Sequence, residues 1–306
     1  MFPTSDRRSF IAQAVVAGAS CEPLFSQGIF KRKKQNSGGS GSLDRKSGES
    51  AIDFAERAVK AGAIGTPSAV KALMTFGRAY PSAVTGVKRE AGQDFVQISG
   101  AGGSQWRPLE DGNQGKSFEQ RLDSPDLFET LHDSYPRDLT MTQWPKNLDP
   151  GRYRDEMFLK LVYGDSPARV RENLTTVNFA GKTLSFNRNN GAADALKRVG
   201  KKVEAAVGTS PAYRKYLEGI GGTFNWRNIS GTSRLSAHSF GMTVDLNPAL
   251  GGYWKWGSGN DLHLMERRRK YPPEIVAAFE SEKFIWGGKW YHYDLMHFEY
   301  RPEFFI

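Results

Sequence analysis

The chain of 306 residues holds a single cysteine, Cys21. One cysteine excludes an intrachain disulfide and any cysteine-based metal cluster, so pairing says nothing of the redox compartment. Histidine is scarce as well, with five in all: His132, His238, His263, His292 and His297, four of them in the last third. Any metal site must draw on these few imidazoles and on carboxylates, and the skew points to a C-terminal active domain. The sequence also lacks the roughly 18 consecutive apolar residues that a bilayer-spanning helix needs, so no transmembrane span is expected. The glycine cluster GAGGSQWRPLEDGNQG at residues 100–115 shows no strand-loop-helix context and reads as a loop rather than a phosphate cradle.

What is present suits a globular protein. Hydrophobic residues make up 39% and aromatics 12%, which excludes wholesale disorder. The length predicts one domain with appendages. Net charge is +9 and calls for an anionic partner, whether nucleic acid, an anionic membrane or a cell-wall polymer. No nucleic-acid reading motif is recognisable, so no nucleic-acid partner is expected. Part of the excess is the run Lys31, Arg32, Lys33 and Lys34, which reads as a solvated tail.

At the N-terminus, Arg7 and Arg8 precede a short apolar segment ending in Ala17, Gly18 and Ala19. This pattern is that of a twin-arginine export signal over residues 1–29, with delivery to the periplasm or cell envelope. Cys21 leaves a lipid anchor open. Residues 30–50 are dense in Gly, Ser and Lys and read as a flexible basic linker. Residues 51–106 read as an accessory region with two short amphipathic helices, of unreadable role, and 107–306 as the catalytic domain with its core at 213–304.

Within that domain, hydrophobic spacing predicts helices at 150–164, after Ser166, at 192–207, after Ser210 and at 272–279. A hairpin is expected at 175–187 and strands at 224–229, 242–246 and in the final stretch. Helices and antiparallel strands without βαβ alternation indicate an α+β fold, a small antiparallel sheet with flanking helices.

The chemistry concentrates in two stretches. Residues 224–247 (FNWRNISGTSRLSAHSFGMTVDLN) offer His238 and, seven residues on, Asp245. Residues 291–300 (YHYDLMHFEY) place Asp294 three residues before His297. Two imidazoles and a carboxylate can hold zinc and leave a fourth position open, the layout of a hydrolytic site. Spacing alone leaves a purely structural role for these histidines equally open. In a regular final strand His297 and Glu299 share one face and Asp294 points away, so its reaching the site requires a bend near Leu295 and Met296.

Taken together, SxHxxGxxxD (Ser236, His238, Gly241, Asp245) and DxxHFE (Asp294, His297, Phe298, Glu299) resemble the zinc D-Ala-D-Ala carboxypeptidase and L-alanyl-D-glutamate endopeptidase superfamily. These peptidoglycan peptidases share a fold with hedgehog signalling domains. The resemblance is dense from about Tyr213 to Phe304 and says nothing of residues 1–100. It implies a zinc metallopeptidase, of carboxypeptidase or endopeptidase type, that hydrolyses peptidoglycan stem peptides as a monomer. By the same resemblance His238, Asp245 and His297 are the Zn2+ ligands. Asp294 is the general base that passes a proton from the attacking water to the leaving amine. Arg227 meets the scissile carbonyl, and Ser236 orients the substrate. Glu299 steadies a ligand rather than binding metal. Thr243 stands where the family usually has alanine. Two alternatives remain: a catalytically inactive, zinc-stabilised cell-wall-binding module, and a phage-type lysin.

Overall fold

Short polar residues open many helices of this chain. Ser50, Thr66, Ser117, Asp155 and Ser166 each accept a backbone N–H from the first turn that follows, which satisfies a donor that a helix start leaves free. The computed structural model describes residues 41–113, 115–137, 144–256 and 262–306, with backbone alone at 262–265. The expected export signal at 1–29, including Cys21, lies outside the described residues, as does the basic run at 31–34.

The first sheet is antiparallel, in the order β1 (Leu43–Asp44), β2 (Val84–Glu90), β3 (Gln93–Gly100), β4 (Gly103–Pro108). Helices α1 (Ala51–Lys60) and α2 (Pro67–Ala79) come between β1 and β2. Two expectations change here. The linker read at 30–50 ends early, because Leu43 and Asp44 pair with Val87 and Gly86, and the Arg45 guanidinium donates to the carbonyls of Pro81 and Val84. The loop read at 100–115 begins as a hairpin. Its strands were masked by the glycines, whose tip packs on a helix end, Gly102 N–H donating to Leu161 O at 3.0 Å. Residues 51–106 are therefore part helix and part sheet, with Val96 and Ile98 alternating inward.

Chain order then gives α3 (Phe118–Asp123), α4 (Glu156–Tyr163), α5 (Pro167–Glu172), the hairpin β5 (Leu174–Phe179) and β6 (Lys182–Asn187), and α6 (Ala192–Thr209). Leu196, Val199 and Val203 on α6 are buried, the stripe that the helical period predicted. The third sheet runs β7 (Thr243–Asp245), β9 (His297–Tyr300), β8 (Phe284–Trp286), with α7 (Leu262–Lys270) and α8 (Pro273–Glu280) between β7 and β8 in sequence. The architecture is α+β.

The strand expected at 224–229 is not formed. Only one bridge, Asn228 with Leu235, occurs there. A side chain does the holding instead: Ser239 Oγ accepts from Arg227 N–H and donates to Arg227 O, both at 3.1 Å.

One hydrophobic cluster runs through the helices and the sheets alike. Phe279 stacks on Phe298 at 3.9 Å between ring centroids, which fixes the strand that carries His297. Phe76 and Tyr80 at the end of α2 pack edge-on against Phe158 of α4 at 4.9 and 4.8 Å. The Tyr80 hydroxyl donates to Glu303 at 2.7 Å. Residues 51–106 thus share their core with the C-terminal part.

Candidate metal centre

Asp245 and His297 stand directly opposite each other in the β7–β9 ladder, with Val244 paired to Phe298 and Thr243 to Glu299. Directly opposed residues in an antiparallel pair bring their side chains together on one face. Strands 52 residues apart in sequence therefore deliver two of the three expected ligands as a cross-strand pair. The third, His238, lies in a short 3-10 turn, Ala237–Phe240, just ahead of β7. That turn ends at Gly241, whose left-handed φ of 64° a side chain would disfavour.

The donor atoms converge. His238 Nε2 lies 3.2 Å from Asp245 Oδ2, and His297 Nδ1 lies 3.0 Å from Asp245 Oδ1. The imidazole rings meet edge-on at 5.2 Å between centroids, and His238 and His297 are only 7% and 6% exposed. The other nitrogen of His297, Nε2, is 3.3 Å from Glu299 Oε2. Glu299 is itself fully buried and gripped by Arg154 through two bonds, at 2.9 and 2.5 Å, and by Arg301 at 2.9 Å. The Glu299 contact engages Nε2 and leaves Nδ1 as the nitrogen turned to Asp245.

Electrostatics describe a place built for positive charge. Burial opposes ionisation of Asp245, yet hydrogen bonds from His238 and His297 outweigh it and hold its carboxyl well below the usual range. Burial likewise works against a charged His297, but Asp245 and Glu299 on either side raise it to about 10. Glu299, disfavoured by burial, is nevertheless held well below the ordinary value by Arg154. The donor set fits a zinc ion: two imidazole nitrogens and one carboxylate oxygen, all within 4.8 Å of one another, three ligands that leave a fourth position open.

Asp294 lies ahead of β9, in the turn that follows the 3-10 segment Gly287–Lys289. The bend that a regular strand could not supply is therefore present. Asp294 N–H donates to Gly287 O at 3.0 Å, and His297 N–H to Asp294 O at 3.2 Å. A Cβ at Gly287 would sit 2.6 Å from Asp294 O, so only glycine lets the turn close. Asp294 Oδ1 is buried without a hydrogen bond among the described residues. Burial is the main cause that pushes this carboxyl up to about 7, with Asp245 adding to it and His297 opposing it. A carboxyl poised near neutrality suits proton transfer at ordinary pH.

Asp294, Arg227, Ser236 and the three ligand residues all line one cleft of about 320 Å³. Arg227 is exposed, and among the described residues its guanidinium makes one long 3.4 Å bond, to Asn228 O. Ser236 is buried, its N–H donating to Arg227 O at 2.9 Å. Trp290 covers His297 at 5.5 Å, and Trp256, 68% exposed, stands at the rim. Sequence reasoning missed Arg152 and Arg154, which also line the cleft. Two arginines two residues apart ahead of a helix were the available signal, and helical spacing drew attention past them.

The remaining histidines lie elsewhere. His292 is a clamp rather than a cleft residue: it contacts buried Asp149 through Nδ1 and N–H, and stacks between Trp254 and Phe118. His132 pairs with Asp133 at 2.7 Å. The His263 side chain lies outside the described residues. A second acidic cluster, Asp111, Asp126 and Glu129, is occupied by the Lys116 ammonium, 2.6 Å from Glu129.

Residues 230–300 match the family model of the D-alanyl-D-alanine carboxypeptidases. The matched segment contains Ser236, His238, Asp245, Asp294 and His297 and begins after Arg227. It bears out the resemblance read from the two motifs and supports a peptidase of the peptidoglycan-related family. No curated protein and no solved structure matches the chain.

Proposed function

We propose that the chain is a zinc-dependent peptidase that hydrolyses a peptide bond in the peptidoglycan stem, as a D-Ala-D-Ala carboxypeptidase or an L-Ala-D-Glu endopeptidase. The observation that carries this reading is the meeting of His238 Nε2, His297 Nδ1 and Asp245 with Asp294, whose Oδ1 has no hydrogen bond among the described residues, on one cleft inside the segment that matches the family.

In this reading His238, Asp245 and His297 hold zinc, and Glu299 fixes the orientation of His297. Bound zinc supplies Lewis acidity toward the scissile carbonyl and lowers the pKa of water beside it. Asp294 accepts the proton of the attacking water and returns it to the leaving amine. The exposed Arg227 guanidinium presents its donors to the carbonyl oxygen as negative charge develops there. Ser236, pinned through its backbone to Arg227, sets the substrate alongside. An inactive binding module has no use for Asp294 and Arg227 on the same wall.

A net charge of +9 suits an anionic wall. Export to the periplasm or cell envelope and a monomeric state complete the proposal, and among the described residues no helix is long and apolar enough to cross a membrane. The test is digestion of defined muropeptides followed by mass spectrometry. Loss of one terminal residue or cleavage within the stem, abolished by a chelator and restored by zinc, is the expected result. Muropeptides left intact by the zinc-loaded chain would sink the reading.

A further inference from the structure

Beside the metal-centre cleft lies a second cavity of about 190 Å³, and the two share Arg152, Arg154 and Ile229 along their common wall. The second cavity is also lined by Arg107 and Arg234. Most of its charges are accounted for. Arg107 pairs with Asp155 at 2.9 Å, Arg154 with Glu299 at 2.5 Å, Arg234 with Asp123 at 3.5 Å, and Glu156 with Lys160 at 2.7 Å.

Arg152 is the exception. Among the described residues no carboxylate lies within ion-pair distance of it. Its guanidinium donates once, from Nη1 to His292 O at 3.1 Å, and lies over the Trp290 ring at 5.7 Å. Its remaining donors are free to meet a ligand. Burial disfavours its charge and lowers its pKa, with Asp149 and Tyr253 supporting the charge through space and Arg154 and Arg234 opposing it. A part-buried cation without a counter-ion costs stability unless something anionic completes it. Arg234 adds a second cation to the same cavity, its Nε reaching Asp123 at a long 3.5 Å. The planar fork of arginine matches a carboxylate bidentately, so this chemistry fits an acidic group better than a neutral one.

We propose that the cavity centred on Arg152 is a carboxylate subsite that continues the cleft and selects peptides bearing a free acidic group away from the scissile bond. Arg152 takes the carboxylate and Arg234 backs it from the far wall, while Arg227 serves the scissile carbonyl in the neighbouring cleft. The peptide-substrate part of this inference rests on the peptidase reading above, whereas the preference for a carboxylate does not.

The probes are a stem-type peptide with a free glutamyl carboxylate and the same peptide with that carboxylate amidated. Binding is followed by tryptophan fluorescence, and hydrolysis is measured in parallel. The wild-type chain is expected to bind the acidic peptide about tenfold more tightly, the value of a hydrogen-bonded charge. Arg152→Gln should bring the ratio near one by weakening the acidic peptide alone, and Arg152→Lys should keep part of it. Should Arg152→Gln not fold, Arg234→Gln is the second variant and should reduce the ratio by about half or more. Equal binding of the two peptides by the wild type, or an unchanged ratio in a folded Arg152→Gln, overturns the subsite. A preference lost in Arg152→Gln without any hydrolysis supports the subsite and defeats the peptidase reading. Hydrolysis without a preference does the reverse.

Discussion

At the scale of the residue, Asp245 is the centre of the site, touching His238 with one oxygen and His297 with the other. Removing either imidazole leaves two ligands, too few for a tight zinc site. His238→Ala and His297→Ala should each lose bound zinc, measured as metal content after dialysis; stoichiometric zinc in either variant removes that residue from the ligand set. Zinc binding should also release protons. Asp245 and Glu299 raise His297 to about 10 in the metal-free state, so at pH 7 it is protonated, whereas a ligating imidazole is neutral. The same shift stabilises the metal-free fold below the ordinary histidine value, a contribution lost as pH rises through about 10. Zinc affinity should therefore climb between pH 6 and 9, with about one proton released per ion at pH 7 by calorimetry in two buffers of different ionisation enthalpy. A pH-independent affinity contradicts the proton-for-metal exchange. Residue type and spacing made His238, Asp245 and His297 candidates in the sequence, and the family resemblance alone grouped them as one ligand set. Arg152 was not legible, because its significance is a missing partner, and only the packing shows which cations lack one.

At the scale of the element, the site depends on register and on turns. The Asp245–His297 pairing belongs to a ladder between β7 and β9, and slipping it by one residue would send one ligand to the other face. Sequence patterning located β7 and the hairpin β5–β6 because alternation is a local signal. It misplaced a strand at 224–229, where hydroxyl bonds from Ser239 replace strand pairing. It also extended the last strand through Asp294, which stands in a turn closed on Gly287. That closure is steric, a contact between Gly287 and the Asp294 backbone, and no periodicity reports it. Gly287→Ala should force this turn open while leaving β7–β9 in place. The expected variant retains zinc but loses at least about tenfold in turnover, because a displaced base loses its alignment. Unchanged turnover in a zinc-loaded Gly287→Ala protein argues against Asp294 as the base.

At the scale of the whole molecule, residues 51–106 are part of the body that carries the site. Helix α2 meets α4 through the Phe76, Tyr80 and Phe158 rings, and Tyr80 reaches Glu303, which also holds Arg301. Arg301 in turn pairs with Glu299, the partner of His297. A chain of buried contacts thus connects the N-terminal helices to His297. Hydrophobic spacing predicted two amphipathic helices there but not that their apolar faces would join the common core, since a hydrophobic stripe does not name its partner. Tyr80→Phe, which removes a hydrogen bond to a buried carboxylate, should lower stability by about 2 kcal/mol in denaturant unfolding. No change would mean that this junction contributes little. The central claim is a zinc peptidase in which Asp294 moves the proton. It is tested most directly by measuring zinc content and peptidoglycan-peptide hydrolysis together in the wild-type chain and in Asp294→Asn. The account predicts one zinc per chain in both and product from the wild type alone. Full hydrolysis by zinc-loaded Asp294→Asn, or none by the zinc-loaded wild type, would contradict it.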